Sequence, residues 1–328
     1  MKSKRANLIL KITVLASVLV FVLGVLIYGL STGFGISDLI KSPDNGLYDV
    51  PYTYEEEAKT LRAVHVDWVD GPVSVKFYSG STIQVVETAK QELKEDEKLY
   101  LEISGGELSV RWNSALVHIG FLRDEAKKLE ILIPQAFEES LETVEIATVS
   151  GNVMIDGLEL TEAKFESVSG ELFLSNVAAE EFRAATTSGD IHCETVSGTE
   201  YFEAESVSGS MELAGITGGE TALDSTSGSI TLTGTAAELK CSTVSGNAAL
   251  DLANWPETLR FESVSGHAEI LAPEAVDGFL CSFDSVSGDF DCGFRTQKSG
   301  KLYQNGDGKC SVQFETTSGN VSLNEKVG

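Results

Sequence analysis

The sequence predicts an all-β fold, namely a single-stranded β-solenoid with about 19–20 residues in each rung. Two observations predict it. A four-residue phrase, Ser/Thr-Val/Thr-Ser-Gly, returns at a nearly constant interval, and apolar residues alternate with polar ones on both sides of each copy. No segment after the apolar N-terminus has the periodicity of a globular helix. We expect a right-handed β-helix that is preceded by one transmembrane helix.

The N-terminal 30 residues predict a membrane anchor. Residues 1–11 form a short basic tail, and residues 12–30, ITVLASVLVFVLGVLIYGL, are 19 residues without a charge. Such a run is long enough to cross a hydrocarbon core of about 30 Å as a helix. A cleaved signal peptide is the alternative, but its apolar region is shorter, and Ser31-Thr32-Gly33 is a weak cleavage site. We therefore expect an uncleaved, single-pass anchor with a cytoplasmic N-terminus and an extracytoplasmic remainder.

The remainder divides into three parts. Residues 31–59 contain Pro43, Asn45-Gly46 and Pro51 and predict an extracytoplasmic tether. Residues 60–147 contain alternating strand patterns broken by turns such as Asp70-Gly71, which predict irregular first rungs. Residues 148–328 carry the regular repeats. Rungs that stack at about 4.8 Å would give a rod of roughly 55–60 Å.

The glycine of each phrase is expected at a corner between two strands, where a residue without Cβ permits a bend or a left-handed dihedral. These corner glycines are Gly151, Gly170, Gly189, Gly209, Gly228, Gly246, Gly266, Gly288 and Gly319.

Three residues before each glycine stands a Ser or Thr. It lies two residues after the apolar position that is five before the glycine, and alternate residues of a strand face the same side. We expect these hydroxyls to point inward and to hydrogen-bond to one another along the rod. An exposed row that binds a ligand is the alternative. The residues are Thr148, Ser167, Thr186, Ser206, Ser225, Thr243, Ser263, Ser285 and Thr316.

Composition and motifs argue against several classes of function. The net charge of -26 disfavours binding of nucleic acid and of anionic lipid. The five cysteines fall at positions of the alternation that face inward, so we expect them in the core. A disulfide bridge between Cys281 and Cys310 is the alternative. His65, His118, His192 and His267 have no metal-ligand spacing, and we expect no cofactor. No motif of a hydrolase, nucleotide-binding protein or dehydrogenase occurs, so an enzyme is not expected.

Two places interrupt the ladder. An extra copy of the phrase ends at Gly198, out of phase with the others. An excursion of about ten residues before Gly319 carries Arg295, Lys298 and Lys301, a basic cluster on an acidic body. We expect a local function, if there is one, at these interruptions, and the excursion is the candidate interaction loop.

The repeats resemble a bacterial family of candidate adhesins, the DUF4097 type. The likeness is carried by FESVSGEL at residues 165–172, by LEILIP at residues 129–134, and by GDGK with FETTSGNV at residues 306–321. It implies a β-solenoid over residues 61–323. The order of anchor, tether and solenoid is similar to the single-span LiaG type, which implies a link to cell-envelope stress response in Gram-positive bacteria.

These observations predict a membrane-anchored extracytoplasmic solenoid that acts as a binding or scaffold module at the bacterial cell envelope. A cell-wall polymer or an envelope protein is the expected partner. Two alternatives stay open. One is a structural rod that self-assembles through its terminal rungs. The other is a surface adhesin stabilised by calcium between outward carboxylates of successive rungs.

Overall fold

The computed structural model describes residues 50–113, 126–275 and 277–326. The chain forms an all-β solenoid, and the described residues contain a single short 3-10 helix, Gln135–Phe137. Its hand stays a prediction. The strands are β1 (Val50–Glu56), β2 (Ala63–Trp68), β3 (Val73–Tyr78), β4 (Ile83–Ala89), β5 (Tyr100–Ser104), β6 (Glu107–Arg111), β7 (Lys127–Pro134), β8 (Thr143–Thr148), β9 (Val153–Ser167), β10 (Leu172–Thr186), β11 (Ile191–Ser206), β12 (Met211–Ser225), β13 (Ile230–Thr243), β14 (Ala248–Leu252), β15 (Thr258–Ser263), β16 (Ala268–Ala272), β17 (Phe279–Ser285), β18 (Phe290–Cys292), β19 (Gln297–Ser299), β20 (Leu302–Asn305), β21 (Cys310–Thr316) and β22 (Val321–Glu325).

The regular middle of the rod consists of β9 to β13, each of which is nearly one whole coil. Neighbouring coils pair in parallel at equivalent positions of the repeat, as in Val153↔Leu172 and Leu172↔Ile191. Residues two and four after each glycine, and five before the next, are buried apolar side chains throughout this region. The period-two alternation thus places one apolar set inside every coil, and stacked coils share a continuous core.

Two faces of the rod run along its full length. The post-glycine face contains the strand segments that follow the corner glycines, and its strand order is β1-β4-β7-β3-β9-β10-β11-β12-β13-β14-β16-β22-β18. The pre-glycine face contains the segments that precede them, and its order is β5-β6-β2-β8-β9-β10-β11-β12-β13-β15-β21-β17-β20-β19. We call the end with β1 and β5 the proximal end, and the end with β17 to β20 the distal end.

The corner glycines are needed for close stacking and not for an unusual dihedral. None of the nine, all of which are described, has a φ in the left-handed region. Instead, a Cβ at eight of them would collide with the carbonyl group of the corner glycine in the neighbouring rung, and a Cβ at Gly151 with that of Gly71; for Gly209 it would lie 2.5 Å from the carbonyl carbon of Gly189. The expectation of a left-handed dihedral at this corner is therefore wrong, and steric exclusion at the corner explains the repeat.

The left-handed conformation occurs at a second corner of the five regular coils, six residues after the repeat glycine. In three coils Gly157, Gly215 and Gly234 have φ of 77°, 66° and 156°. Asn176 and Thr195 occupy the equivalent corner with φ of 52° and 56°. Asparagine tolerates this region because its side chain hydrogen-bonds locally, whereas a β-branched threonine is strained there.

The rungs are not stacked in chain order at either end, contrary to the simple ladder that the repeats predict. The last rung, β21 and β22, lies between β15/β16 and β17/β18. At the proximal end, β2 and β3 lie between the later β6/β7 and the first regular rung. Any rung with the same inward pattern can form these parallel pairs, so the repeats alone do not determine the order.

The folded part begins before residue 60. Strand β1 pairs with β4 in antiparallel register, Val50↔Ala89 to Glu56↔Ile83. The predicted tether, residues 31–59, therefore overlaps this strand at its C-terminal end. The predicted basic tail, the anchor at residues 12–30 and His118 lie outside the described residues. In the part of the chain that is described, no helix is long and apolar enough to span a bilayer.

Candidate functional site

The hydroxyl column is an internal structural feature. Thr148 and Ser167 are 5% and 1% exposed, and their hydroxyl oxygens are 3.0 Å apart. Comparable contacts join Thr186 with Ser206, Thr243 with Ser263, and Thr316 with Ser285.

All of these hydroxyls except that of Thr243 also hydrogen-bond to the backbone of their own corner. Thr148 Oγ1 is 2.8 Å from the carbonyl oxygen of Gly151, and Ser167 Oγ accepts a hydrogen bond of 2.8 Å from the Gly170 N–H. Buried hydroxyls with such partners incur little desolvation cost. Only Ser285, in the outermost distal rung, is half-buried, so the column offers no ligand-binding row along the rod.

The cysteines pack as small hydrophobic residues. All five are free, and four are buried, with Cys292 half-buried in the distal rung. Burial raises the pKa of the Cys193, Cys241 and Cys281 thiols, and it raises that of Cys310 to about 11. Protonated, buried thiols are poor nucleophiles and poor metal ligands. The alternative of a Cys281–Cys310 bridge does not occur in this structure.

The out-of-phase phrase at Gly198 lies inside β11 and not at a corner. Gly198 pairs with Ala179 and Gly218 on the neighbouring coils, and the register shifts by one residue directly after it. A Cβ at Gly198 would collide with the backbone carbonyl of Tyr201 in the same strand. This copy therefore accommodates a bulge in a coil that is one residue longer, and it places no reactive group on the surface.

A buried ion pair lies near the proximal end and was not recognised from the sequence. Lys127 Nζ is 2.6 Å from Glu87 Oε1, and both side chains are at most 3% exposed. The ammonium group also donates to the Glu97 carbonyl at 2.8 Å and lies 4.1 Å from the Trp112 ring centroid. The Glu87 carboxylate accepts the Leu99 N–H at 3.0 Å. The pair connects β4 to β7 and is enclosed, so we regard it as structural.

An acidic column follows the pre-glycine face. Glu205 and Asp224 are direct neighbours on β11 and β12, and Glu166 and Glu262 occupy the same register position on other coils. Burial, followed by repulsion from Glu203, Asp224 and Glu166, raises the pKa of Glu205 to about 7. Within residues 50–113, 126–275 and 277–326, no group of three or more His, Cys, Asp or Glu side chains could hold a metal ion.

A lateral platform of apolar and aromatic side chains lies on the post-glycine face. Met154, Phe173 and His192 occupy equivalent positions on β9, β10 and β11, and the first two are 42% and 37% exposed. The Phe173 and His192 rings are stacked, with centroids 5.0 Å apart and an interplanar angle of 6°. Glu212 Oε2 on the next coil is 3.2 Å from His192 Nδ1 and orients the imidazole.

The lateral platform is flanked by hydrogen-bonding groups. Glu171 and Ser175 lie two residues to either side of Phe173, and alternate residues of a strand share a face. Rungs about 4.8 Å apart place the three platform side chains in one flat row of roughly 10 Å. Contiguous exposed apolar side chains on a rigid sheet are typical of an interaction surface, whereas isolated ones are common and uninformative.

The predicted interaction loop is a β-hairpin at the distal end. Strands β19 and β20 pair in antiparallel register, and β20 extends the pre-glycine face beyond β17. Lys301 Nζ is 2.6 Å from Asp284 Oδ1, and Lys298 Nζ is 4.7 Å from the Tyr303 ring centroid. Arg295 is exposed directly before β19. The three basic residues thus lie on an ordered edge of the sheet.

Comparison with known proteins identifies the family. The profile of the family described as Toastrack DUF4097 matches residues 63–324. The chain belongs to this Toastrack family. The match begins with β2 and ends in β22, so it includes both sets of rungs that are stacked out of chain order. The sequence has no significant match among curated proteins.

Among solved structures, the chain is similar to several that are distant in sequence. A candidate adhesin from Bacteroides fragilis NCTC 9343 is 10% identical, with a TM-score of 0.43, over 86% of this chain and 98% of that one. A candidate lipid-binding protein from Parabacteroides distasonis ATCC 8503 is 14% identical, with a TM-score of 0.41, over 87% and 99%. A candidate cell adhesion protein from Clostridium sporogenes ATCC 15579 is 11% identical, with a TM-score of 0.26, over 84% and 99%.

Proposed function

We propose that this Toastrack protein is a membrane-anchored, extracytoplasmic binding module of the bacterial cell envelope. In this proposal residues 12–30 hold the proximal end at the membrane and the stiff rod presents its lateral platform to the wall. The single observation that carries the binding role is the row of Met154, Phe173 and His192 on a flat face.

The chemistry of the lateral platform favours a glycan. The Phe173 ring is 37% exposed and stacks face to face on His192, so it presents a rigid apolar edge beside Met154 for contact with the apolar face of a sugar. Glu171 and Ser175 supply hydrogen-bond acceptors and a donor for hydroxyl groups at its rim. A body with a net charge of -26 repels anionic polymers, so a neutral or amino-bearing wall polysaccharide is the favoured partner.

The test is co-sedimentation of the full-length chain, in detergent, with purified cell-wall sacculi from which anionic polymers have been removed. We expect binding by the wild type and at least about tenfold weaker binding by Phe173→Ala, because the apolar contact at the centre of the platform is lost. Tyr100→Ala is the matched control, since Tyr100 is an exposed aromatic residue on the other face of the rod. Equal binding by Phe173→Ala and wild type would exclude the lateral platform as the contact.

The link to envelope stress is a separate part of the proposal. It is supported by the likeness in layout to the LiaG type and predicts that transcription of the encoding gene rises after treatment with a wall-active antibiotic. Constant transcript levels under such treatment would remove this part and leave the binding role untouched.

A further inference from the structure

The distal end of the rod has one uncapped face. At the proximal end, antiparallel strands cover both faces: β4 and β1 extend the post-glycine face, and β5 extends the pre-glycine face. At the distal end, β20 and β19 extend the pre-glycine face in the same way. On the post-glycine face the described chain stops at β18, which pairs with β22 on one side only.

The open side of β18 presents unsatisfied backbone groups. The Asp289 carbonyl accepts the Val321 N–H at 3.0 Å, and the Gly293 N–H donates to the Leu323 carbonyl at 2.9 Å. Since alternate residues of a strand direct their backbone groups to opposite sides, the N–H and C=O of Phe290 and Cys292 face away from β22. Such an edge is a template for one further strand.

The last core layer is exposed at this same end. Phe283, Ser285, Phe290 and Cys292 are half-buried, although most of their equivalents in the other rungs are buried. Phe290 packs between Phe283 and Tyr303, with ring centroids 5.4 Å and 4.9 Å away.

Exposed apolar side chains surround this layer. Of the six large hydrophobic side chains that are exposed in the described residues, Leu280, Val286 and Leu302 lie at the distal end, and Val286 is 69% exposed. A partner that extended the sheet at β18 would cover the layer.

The charges around β18 are self-complementary. Asp289 and Asp291 are exposed on β18 and beside it, whereas Arg295 and Lys298 are exposed on the adjacent hairpin. In the described part of the chain neither of these two basic residues has a carboxylate within ion-pair distance; Lys298 lies over Tyr303 instead. One end therefore carries both signs of charge, as a two-fold contact between identical surfaces requires.

We propose that two copies of the chain join tail to tail through their distal ends, with β18 pairing antiparallel to β18 of the second copy. One such contact would cap the open face of both copies at once and cover Phe290, Val286 and Leu302. With Cys292 opposite Cys292 of the second copy, Asp289 of each copy would lie opposite Arg295 of the other. Side-by-side contacts are disfavoured because the flanks of both copies are acidic.

Such a dimer has its two proximal ends at opposite extremities. If residues 12–30 anchor each copy, as in the proposed function, the two anchors lie at opposite ends of the dimer, separated by two rod lengths. The pairing itself is independent of the anchor, since it depends only on β18 and its surroundings.

The test uses full-length chain incorporated into lipid nanodiscs at one copy per disc, imaged by negative-stain electron microscopy over a series of concentrations. We expect pairs of discs joined by one straight rod of twice the single length. Single discs at every concentration, or pairs joined along their flanks, would overturn the proposal. Binding of wall sacculi serves as a separate readout, because Phe173→Ala should weaken that binding at least about tenfold and leave the disc pairs unchanged.

Charge reversal provides the decisive control. Asp289→Lys and Arg295→Glu should each reduce the disc pairs at least about tenfold, whereas an equimolar mixture of the two variants should restore them, since opposite charges then face each other. Lys164→Glu, on the pre-glycine face in the middle of the rod, is the matched variant that should change nothing. Cys292→Pro, which removes an outward N–H, should also abolish pairing. Failure of the mixture to restore pairs would contradict the assigned β18 contact.

Discussion

Replacement of a corner glycine by alanine should be among the most damaging single changes in the rod. In Gly209→Ala the added Cβ would lie 2.5 Å from the carbonyl carbon of Gly189 and 3.2 Å from the Asp190 nitrogen. Both neighbours are backbone atoms, so no side-chain rotation relieves the contact. The rungs must separate at this corner, which disrupts the hydrogen bonds from Ser208 N–H to the Thr187 carbonyl (3.0 Å) and from Ser210 N–H to Asp190 Oδ1 (2.7 Å).

The expected cost follows from these losses. Two hydrogen bonds at about 1 kcal/mol each, with about 1–3 kcal/mol for overpacking, give roughly 3–5 kcal/mol of lost unfolding free energy. The matched control is Gly157→Ala. A Cβ there meets nothing within 4 Å, and only the φ of 77° is unfavourable for alanine, so we expect a cost of about 1–2 kcal/mol.

Urea unfolding of both variants, followed by circular dichroism on the full-length chain in detergent, measures the difference. Equal losses for Gly209→Ala and Gly157→Ala would refute the stacking explanation, because the left-handed corner would then be as demanding as the crowded one. Gly157→Asn adds a second check. It should be nearly neutral, since Asn176 already occupies the equivalent corner with a φ of 52°.

Two further predictions concern charged groups. Burial, followed by repulsion from Glu203, Asp224 and Glu166, raises the pKa of Glu205 from 4.5 to about 7, so the folded state favours the protonated carboxyl. The contribution of Glu205 to stability is therefore greatest below pH 4.5 and declines as the pH rises to about 7. Glu205→Gln should therefore raise the thermal midpoint at pH 8 but not at pH 4, and an equal shift at both pH values would contradict this assignment. For the buried pair, Lys127→Met should cost about 3–5 kcal/mol because Glu87 would be left charged and enclosed, and adding Glu87→Leu should recover part of the loss. If the double variant were less stable than Lys127→Met, an unpaired, enclosed Glu87 would not be the cause of the stability lost in Lys127→Met.

The regular part of the fold could be predicted because its period is directly visible. Parity around each glycine indicates which residues are buried, and Ser167 and Phe165 are buried as the alternation requires. The same alternation also indicates the buried ion pair, which sequence reasoning missed. Glu87 follows Ile83 and Val85 at inward positions, and Lys127 precedes Leu129 and Ile131 in the same way. A charged residue at an inward position of a strand predicts a buried partner.

The order of the rungs and the second corner could not be predicted in this way. Strands β16, β22 and β18 carry comparable inward residues, so a stack in chain order and the observed stack satisfy the same alternation. The left-handed corner is occupied by Gly157, Asn176 and Thr195 in successive coils, which gives no repeated residue type to recognise. The lateral platform could not be predicted either, because its residues occupy outward positions, where the residue type differs from one coil to the next.

The position of β21 and β22 between two earlier rungs affects how the rod is completed during synthesis. The N-terminus is synthesised first, so residues 277–309 emerge before the strands that separate them from the rest of the solenoid. This segment has no stacking partner until residues 310–325 arrive, and the distal end therefore closes in a single late step. A chain that stalls or is cleaved before residue 310 leaves β16 and the distal segment as two open edges, which gives quality-control proteases a clear distinction between finished and unfinished rods.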